Sequence, residues 1–177
     1  MRSWRNFSRS APAVLACLFL GQGCALLFPD RTAPKSQSYT VAPPGTPWHK
    51  LAVGDDPSST DAMKADMAFE NPDTGAIISL NSICRKYNKL SLESLTENLV
   101  RGVADRKTVE RKEVELDGEK ALDTTFEGTV DDVLLNLRTV VMIKGDCTYD
   151  FIHVTVPKRQ IGHPQFFDAF LNSFHTT

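Results

Sequence analysis

Apolar residues recur at every second position between Met63 and Phe69, with Lys64, Asp66 and Ala68 between them. That period predicts a strand over Ala62–Glu70 with one buried face. The next residues, Asn71-Pro72-Asp73-Thr74-Gly75, have the composition of a turn. Ala76–Cys84 then returns as a strand, so the two form a hairpin. Trp48–Val53 reads as a short strand before them. From Ser91 the period changes: Leu92, Leu95, Leu99 and Val103 fall at helical spacing, with Glu93 in the first turn, where a negative charge suits the helix dipole. Thr108–Leu116 is a more polar strand that belongs near an edge. Asp117-Gly118 signals a hairpin into a strand over Ala121–Phe126. Val133, Leu135, Leu137, Val141 and Ile143 mark one face of a long strand, with Asn136, Arg138 and Lys144 on the other. Lys144-Gly145-Asp146 turns the chain into a last strand, Cys147–Val156. Phe166, Phe167, Phe170, Leu171 and Phe174 form the stripe of a terminal helix, with Pro164 at a tolerated first-turn position.

The order is therefore βββ-α-ββββ-α. Strands joined by tight turns pair antiparallel, and two amphipathic helices need a sheet on which to bury their stripes. Apolar residues on both faces of the long strand, Val140 and Met142 opposite Val141 and Ile143, predict cover on both sides. The expected fold class is α+β, an antiparallel β-sheet with helices packed on its faces in an α/β/α sandwich.

The first thirty residues follow a different logic. Arg2, Arg5 and Arg9 give a basic start, Ala11–Leu20 is an apolar run broken only by Pro12, and Gly21-Gln22-Gly23-Cys24 supplies small residues and a cysteine. This is the order of a secretory signal peptide. The run is short for a stable span, which needs about 20 apolar residues; an uncleaved anchor helix is the alternative. The cysteine after glycine resembles the lipobox of bacterial lipoproteins, whose cysteine is acylated and becomes the first mature residue. That resemblance implies residues 1–23 as signal peptide and Cys24 as the lipidated residue. The lipobox usually has leucine three places before the cysteine, and here Gly21 stands there. Val14-Leu15-Ala16-Cys17 fits the box better locally but leaves too short an apolar region. Ala25 after the cysteine implies the outer membrane, facing the periplasm. Residues 24–46 read as a flexible spacer, because the stretch from Phe28 to Pro47 holds five prolines and no period. Tyr39 and Val41, spaced by two, are placed to begin docking onto the domain at 47–177.

With 177 residues, 41% hydrophobic and 24% charged, the chain is long enough for one domain with its own core and too apolar to be disordered. A net charge of −2 gives no electrostatic case for nucleic acid. Export sends the domain to an oxidising compartment, so Cys84 and Cys147 are candidates for a disulfide, with two separate buried thiols as the rival reading. Neither sits in a metal-binding spacing, and no cofactor is expected. His49, His153, His163 and His175 form no paired motif. His153 shares a strand face with Cys147, Tyr149 and Phe151 and reads as a satisfied histidine, while His163 helps to start the terminal helix. Asp131-Asp132, beyond the supposed turn glycine Gly128, reads as a solvated loop. Asp55–Asp61 lacks the ligand spacing of a calcium loop. The basic stretch from Arg101 to Lys112 is broken by Asp105 and Glu110 into a mixed charged face. No catalytic motif is present.

The pattern of Trp48, Asn71-Pro72-Asp73-Thr74-Gly75-Ala76, Leu92 and Leu95, two long late strands and a closing helix with Phe-x-x-Phe spacing resembles the PsbP-like (Mog/PsbP) fold over about residues 46–177. The resemblance implies a binding or assembly subunit and not an enzyme. The expectation is a membrane-anchored envelope lipoprotein with a non-catalytic role. Its partners are the bilayer, through its acylated N-terminus, and an envelope protein. The alternatives are a carrier that holds a small apolar ligand between the Phe-rich helix and the sheet, and an unrecognised hydrolase.

Overall fold

The computed structural model describes residues 38–53, 65–85, 90–157 and 163–177. The segment expected to be a signal peptide, Cys17, Cys24, the expected spacer up to residue 37, Met63 and residues 55–61 lie outside the described residues. In chain order the elements are β1 (Tyr39–Thr40), β2 (His49–Lys50), β3 (Met67–Asn71), β4 (Ala76–Cys84), α1 (Leu92–Leu99), β5 (Ala104–Leu116), β6 (Glu119–Val130), β7 (Val133–Lys144), β8 (Cys147–Thr155), α2 (His163–Asn172) and β9 (His175–Thr176). Seven strands form one antiparallel sheet in the order β2-β3-β4-β8-β7-β6-β5, and β1 pairs with β9 beside it.

The hairpins follow from local chemistry. Asp117-Gly118 and Asp131-Asp132 both have positive φ at the two central positions, the backbone that matches strand twist in a two-residue turn. Asn and Asp tolerate that region better than other side chains, which is why an Asp pair can stand where glycine is usual. α1 starts because the Ser91 side chain accepts a hydrogen bond from Ser94 N.

Register decides what each face carries. Leu80, Phe151 and Val140 stand in one row, and Ser82, Tyr149, Met142 and Ala121 in another. On that face Ile78, Leu80, Met142, Tyr149 and Phe151 join Phe167, Phe170 and Leu171 of α2, and Phe174 just beyond it, in the main core. The opposite face presents Ile77, Val154, Leu137 and Phe126 in one row, Ser79, Ile152, Thr139 and Thr124 in the next, and Asn81, Asp150, Val141 and Leu122 in the one after. A smaller cluster of Val100, Phe126 and Leu137 forms there, where α1 lies over β6 and β7. This face is also the more polar one, because Thr96, Thr124, Thr139 and Thr148 are all buried on it.

Several expected details change. The first strand shrinks to His49–Lys50, although Leu51 N still donates to Ala68 O. α1 ends at Leu99, and Val103 packs from the connection beyond it. β6 runs on from Phe126 to Val130, which puts Gly128 inside a strand and not in a turn. A Cβ at Gly128 would stand 2.9 Å from Ala104 O and crowd Val103 Cγ1, so the residue is small because β5 approaches closely. Residues 38–46, counted with the spacer, lie on the domain: Tyr39 meets Tyr149 edge-on and Phe174 at a tilt, Ala42 N donates to Ser173 Oγ, and Thr177 N donates to Ser38 O.

Candidate functional site

A groove of about 380 Å³ opens between α1 and the β4–β8 pair. Its floor is Ile83, Thr148 and Asp150, its wall is Leu90, Leu95 and Leu99, and Arg85, Asn98 and Arg101 complete it. The size falls in the usual range for a small-ligand site, and apolar walls with a few polar groups are the usual lining. The register explains the layout. Asn81 faces Asp150 and Ile83 faces Thr148, and Arg85 N then donates to Asp146 O just past the last ladder pair. Residues 81, 83 and 85 point to the same side of β4, so Arg85 lies two same-face steps, about 13 Å, along the strand from the Asp150 row.

Asp150 is the unusual residue here. It is only 9% exposed, and burial pushes its carboxyl up to about 6, against a smaller opposing effect from a hydrogen bond with the Asn81 side chain. The Asn81 contact offsets only part of that desolvation. Arg101 donates to Asn98 Oδ1. The charged groups of α1 do not face Asp150, because Glu97 is held by Arg106 and Arg111 of β5, and Glu93 is exposed in the first turn.

The other face carries a polar network of a different kind. Arg138 makes a forked contact with the buried Asp123, reaches Asp168 of α2 at 2.7 Å and lies over the Phe167 ring. Arg138 thus stands on the face opposite Leu137 and Val141, as expected, and there it rivets α2 to the sheet. His153, the row neighbour of Arg138, is buried and stacks on Phe167 at 5.2 Å. Of the core and surface positions that its strand face left open, His153 takes the core one.

The remaining sequence candidates separate. Cys84 and Cys147 are joined Sγ to Sγ across the last row of the β4–β8 ladder. Asp131 and Asp132 are exposed at the β6–β7 tip, beside exposed Val133 and Leu134. His49 lies exposed on β2 and His175 on β9, where its Nδ1 meets Asp117 Oδ1 at 3.2 Å. The terminal helix does begin at His163. The expected Phe stripe is closed core, with Phe167 and Phe170 of α2 and Phe174 beyond its end no more than 1% exposed, so the space for a ligand lies under the other helix. Among the described residues no group of three or more His, Cys, Asp and Glu is arranged to hold a metal, and no helix is long and apolar enough to cross a membrane. The sequence reading missed Asp150, although the signal was present: one acid stands among Tyr149, Phe151 and Ile152 in a strand expected to be covered on both faces.

No protein-family model matches the sequence, and no curated protein is similar to it. Solved structures are more informative. Cyanobacterial PsbP from Synechocystis sp. superposes with a TM-score of 0.50 at 15% identity, covering 83% of this chain and 96% of the other. LpqN of Mycobacterium tuberculosis, described as involved in cell envelope biogenesis, gives a TM-score of 0.53 at 12% identity over 81% and 86% of the two chains. The fold is PsbP-like. At these identities the likeness concerns architecture, and the function has to be argued from the chain's own residues.

Proposed function

We propose that the protein is a lipid-anchored component of the bacterial cell envelope whose PsbP-like domain binds a ligand or partner and does not transform it. The observation that carries the binding role is the groove under α1, where the fold leaves leucines and a desolvated carboxyl lining open space instead of packing them. A group kept at such a cost is a mark of function. Among the described residues the lining offers one carboxyl and one hydroxyl, Asp150 and Thr148, with no imidazole or thiol beside them to complete a nucleophile–base pair. This arrangement favours the carrier reading, with the ligand moved from the Phe-rich helix to α1.

The envelope location rests on the basic, apolar and small-residue order that ends at Cys24. A sulfur–sulfur bond between Cys84 and Cys147 suits an exported protein. The neighbour described as involved in cell envelope biogenesis supports the same place. Acyl chains on Cys24 would contribute about 0.8 kcal/mol per buried CH₂, enough for several chains to hold a water-soluble domain at a bilayer. The test is metabolic labelling with a palmitate analogue, followed by fractionation. The wild-type chain is expected to carry label and to sediment with membranes. Cys24→Ser is expected to lose both, and label that persists in Cys24→Ser overturns the anchor.

A further inference from the structure

We infer that the groove under α1 takes one acyl chain of a membrane lipid, tail first, with the headgroup left outside at its mouth. The inference rests on the reading of this groove as a binding site and on the Cys24 anchor, and it names the ligand class.

The direction of the groove follows from what packs at its two ends. The Cys84–Cys147 row is the last of the β4–β8 ladder. Arg85, just past that row, and Leu90, just before α1, are exposed lining residues and form the mouth. α1 runs inward from there, because Val100 after its last turn packs on Phe126 and Leu137. Their row, shared with Val154 and Ile77, lies seven residues along β4 from Cys84. Leu95 and Leu99, one turn apart, therefore line the inner length with Ile83. Thr148 and Asp150 flank it on β8, where the Asn81 side chain holds Asp150. α1 has eight residues, about 12 Å at 1.5 Å each. A cleft of that length and about 380 Å³ is at the small end of ligand sites. It is sized for a stretch of a single chain and not for a whole lipid.

The place of the mouth says where such a chain comes from. Lys144 stands opposite Cys147 in the end row, and its Nζ donates to Asp117 Oδ2, which also accepts from Thr176 N. Thr177 N donates to Ser38 O, so the residue through which the chain comes in from Cys24 is at the same end of the sheet as the mouth. Cys24 and Ser38 are 14 residues apart, a reach of at most about 50 Å. A bilayer that holds Cys24 is thus within reach of the groove and supplies acyl chains at high local concentration. The mouth also suits a lipid interface: Leu90 is 50% exposed and meets the acyl region, and the exposed Arg85 guanidinium meets the phosphates.

Photolabelling of the acylated full chain in phosphatidylglycerol–phosphatidylethanolamine vesicles tests this. The vesicles carry a trace of phospholipid with a diazirine at the chain end, the same lipid with the diazirine beside its headgroup, or free diazirine-bearing dodecanol, and the marked residues are mapped by mass spectrometry. The chain-end probe is expected to mark Ile83, Leu95 and Leu99, and the headgroup-side probe Arg85 and Leu90, an order that needs no variant to read. Both are also expected to mark residues 25–37, the internal control. Leu95→Gln with Leu99→Gln is expected to cut the groove label about tenfold and to leave the control unchanged, with thermal melts establishing that the variant is folded. Marking of Leu99 by the headgroup-side probe, or full groove label in the folded double variant, overturns the inference. Groove marking by dodecanol with none from either phospholipid overturns the lipid and leaves the groove a binding site. Marking confined to residues 25–37 with all three probes overturns both.

Discussion

Two aspartates show how placement sets the value of one side chain. Asp117 ends β5 at a hairpin and gathers four contacts: Lys144 Nζ at 2.7 Å, Thr176 N at 3.0 Å, Thr176 Oγ1 at 2.7 Å and His175 Nδ1 at 3.2 Å. The hydrogen bonds from Lys144 and Thr176 hold its carboxyl well below the usual range. Its stabilising contribution is therefore present above the unfolded value near 4 and is lost as pH falls through the folded one. Asp117→Asn keeps the left-handed backbone but gives up the charge. It is expected to lower stability by about 1–3 kcal/mol at pH 7 and to free the Thr176 amide to exchange, as read by denaturant melts and hydrogen exchange. Asp150 has the opposite sign. Its carboxyl is raised, so the folded chain gains from it below about pH 4 and loses that gain as pH rises through about 6. Asp150→Asn is expected to stabilise the fold at pH 8 by on the order of 2–3 kcal/mol and to be neutral at pH 4. A mutation that stabilises by removing a charge from a groove is the signature of a site maintained against the interest of the fold.

Among the elements, the hairpins were the most legible from sequence. Asp117-Gly118, Asn71–Gly75 and Lys144–Asp146 are local signals that need no tertiary information. The polar composition of β5 likewise placed it at an edge, where it stands. Element ends were less legible, because packing fixes them. Gly128 looked like turn punctuation and is instead the point where the bulged start of β5 crosses β6. Gly128→Ala is expected to cost about 1–3 kcal/mol as the neighbours shift, whereas Gly102→Ala, with open space around its Cβ, is expected to stay within about 0.5 kcal/mol. Paired thermal melts distinguish the two. The pairing of β1 with β9 was half visible. Tyr39 and Val41 announced docking, but a two-residue partner after α2 carries no period to read.

For the whole molecule, the alternation of the strands was enough to give the order of elements and the need for two covered faces. It was not enough to give the site. A groove arises where a helix fails to fill the surface it covers, and no single element carries that information; only the register that sets Asp150 beside Asn81, under α1, does. The Cys84–Cys147 link ties β4 to β8 across a sequence separation of 63 residues. In the chain-entropy account, closing such a loop restricts the unfolded state by about 4 kcal/mol. Cys84→Ser with Cys147→Ser, or reduction, is expected to destabilise the domain by about 2–4 kcal/mol in denaturant melts.

The joining of Ser38 to Thr177 and of Tyr39 to Thr176 brings entry and exit of the domain to one pole, alongside the Asp117 and Gly145 turns. A fluorescent or affinity label appended after Thr177 would therefore start beside the strand that leads in from the spacer, while one inserted at the exposed acidic tip would start between β6 and β7, clear of that crossing.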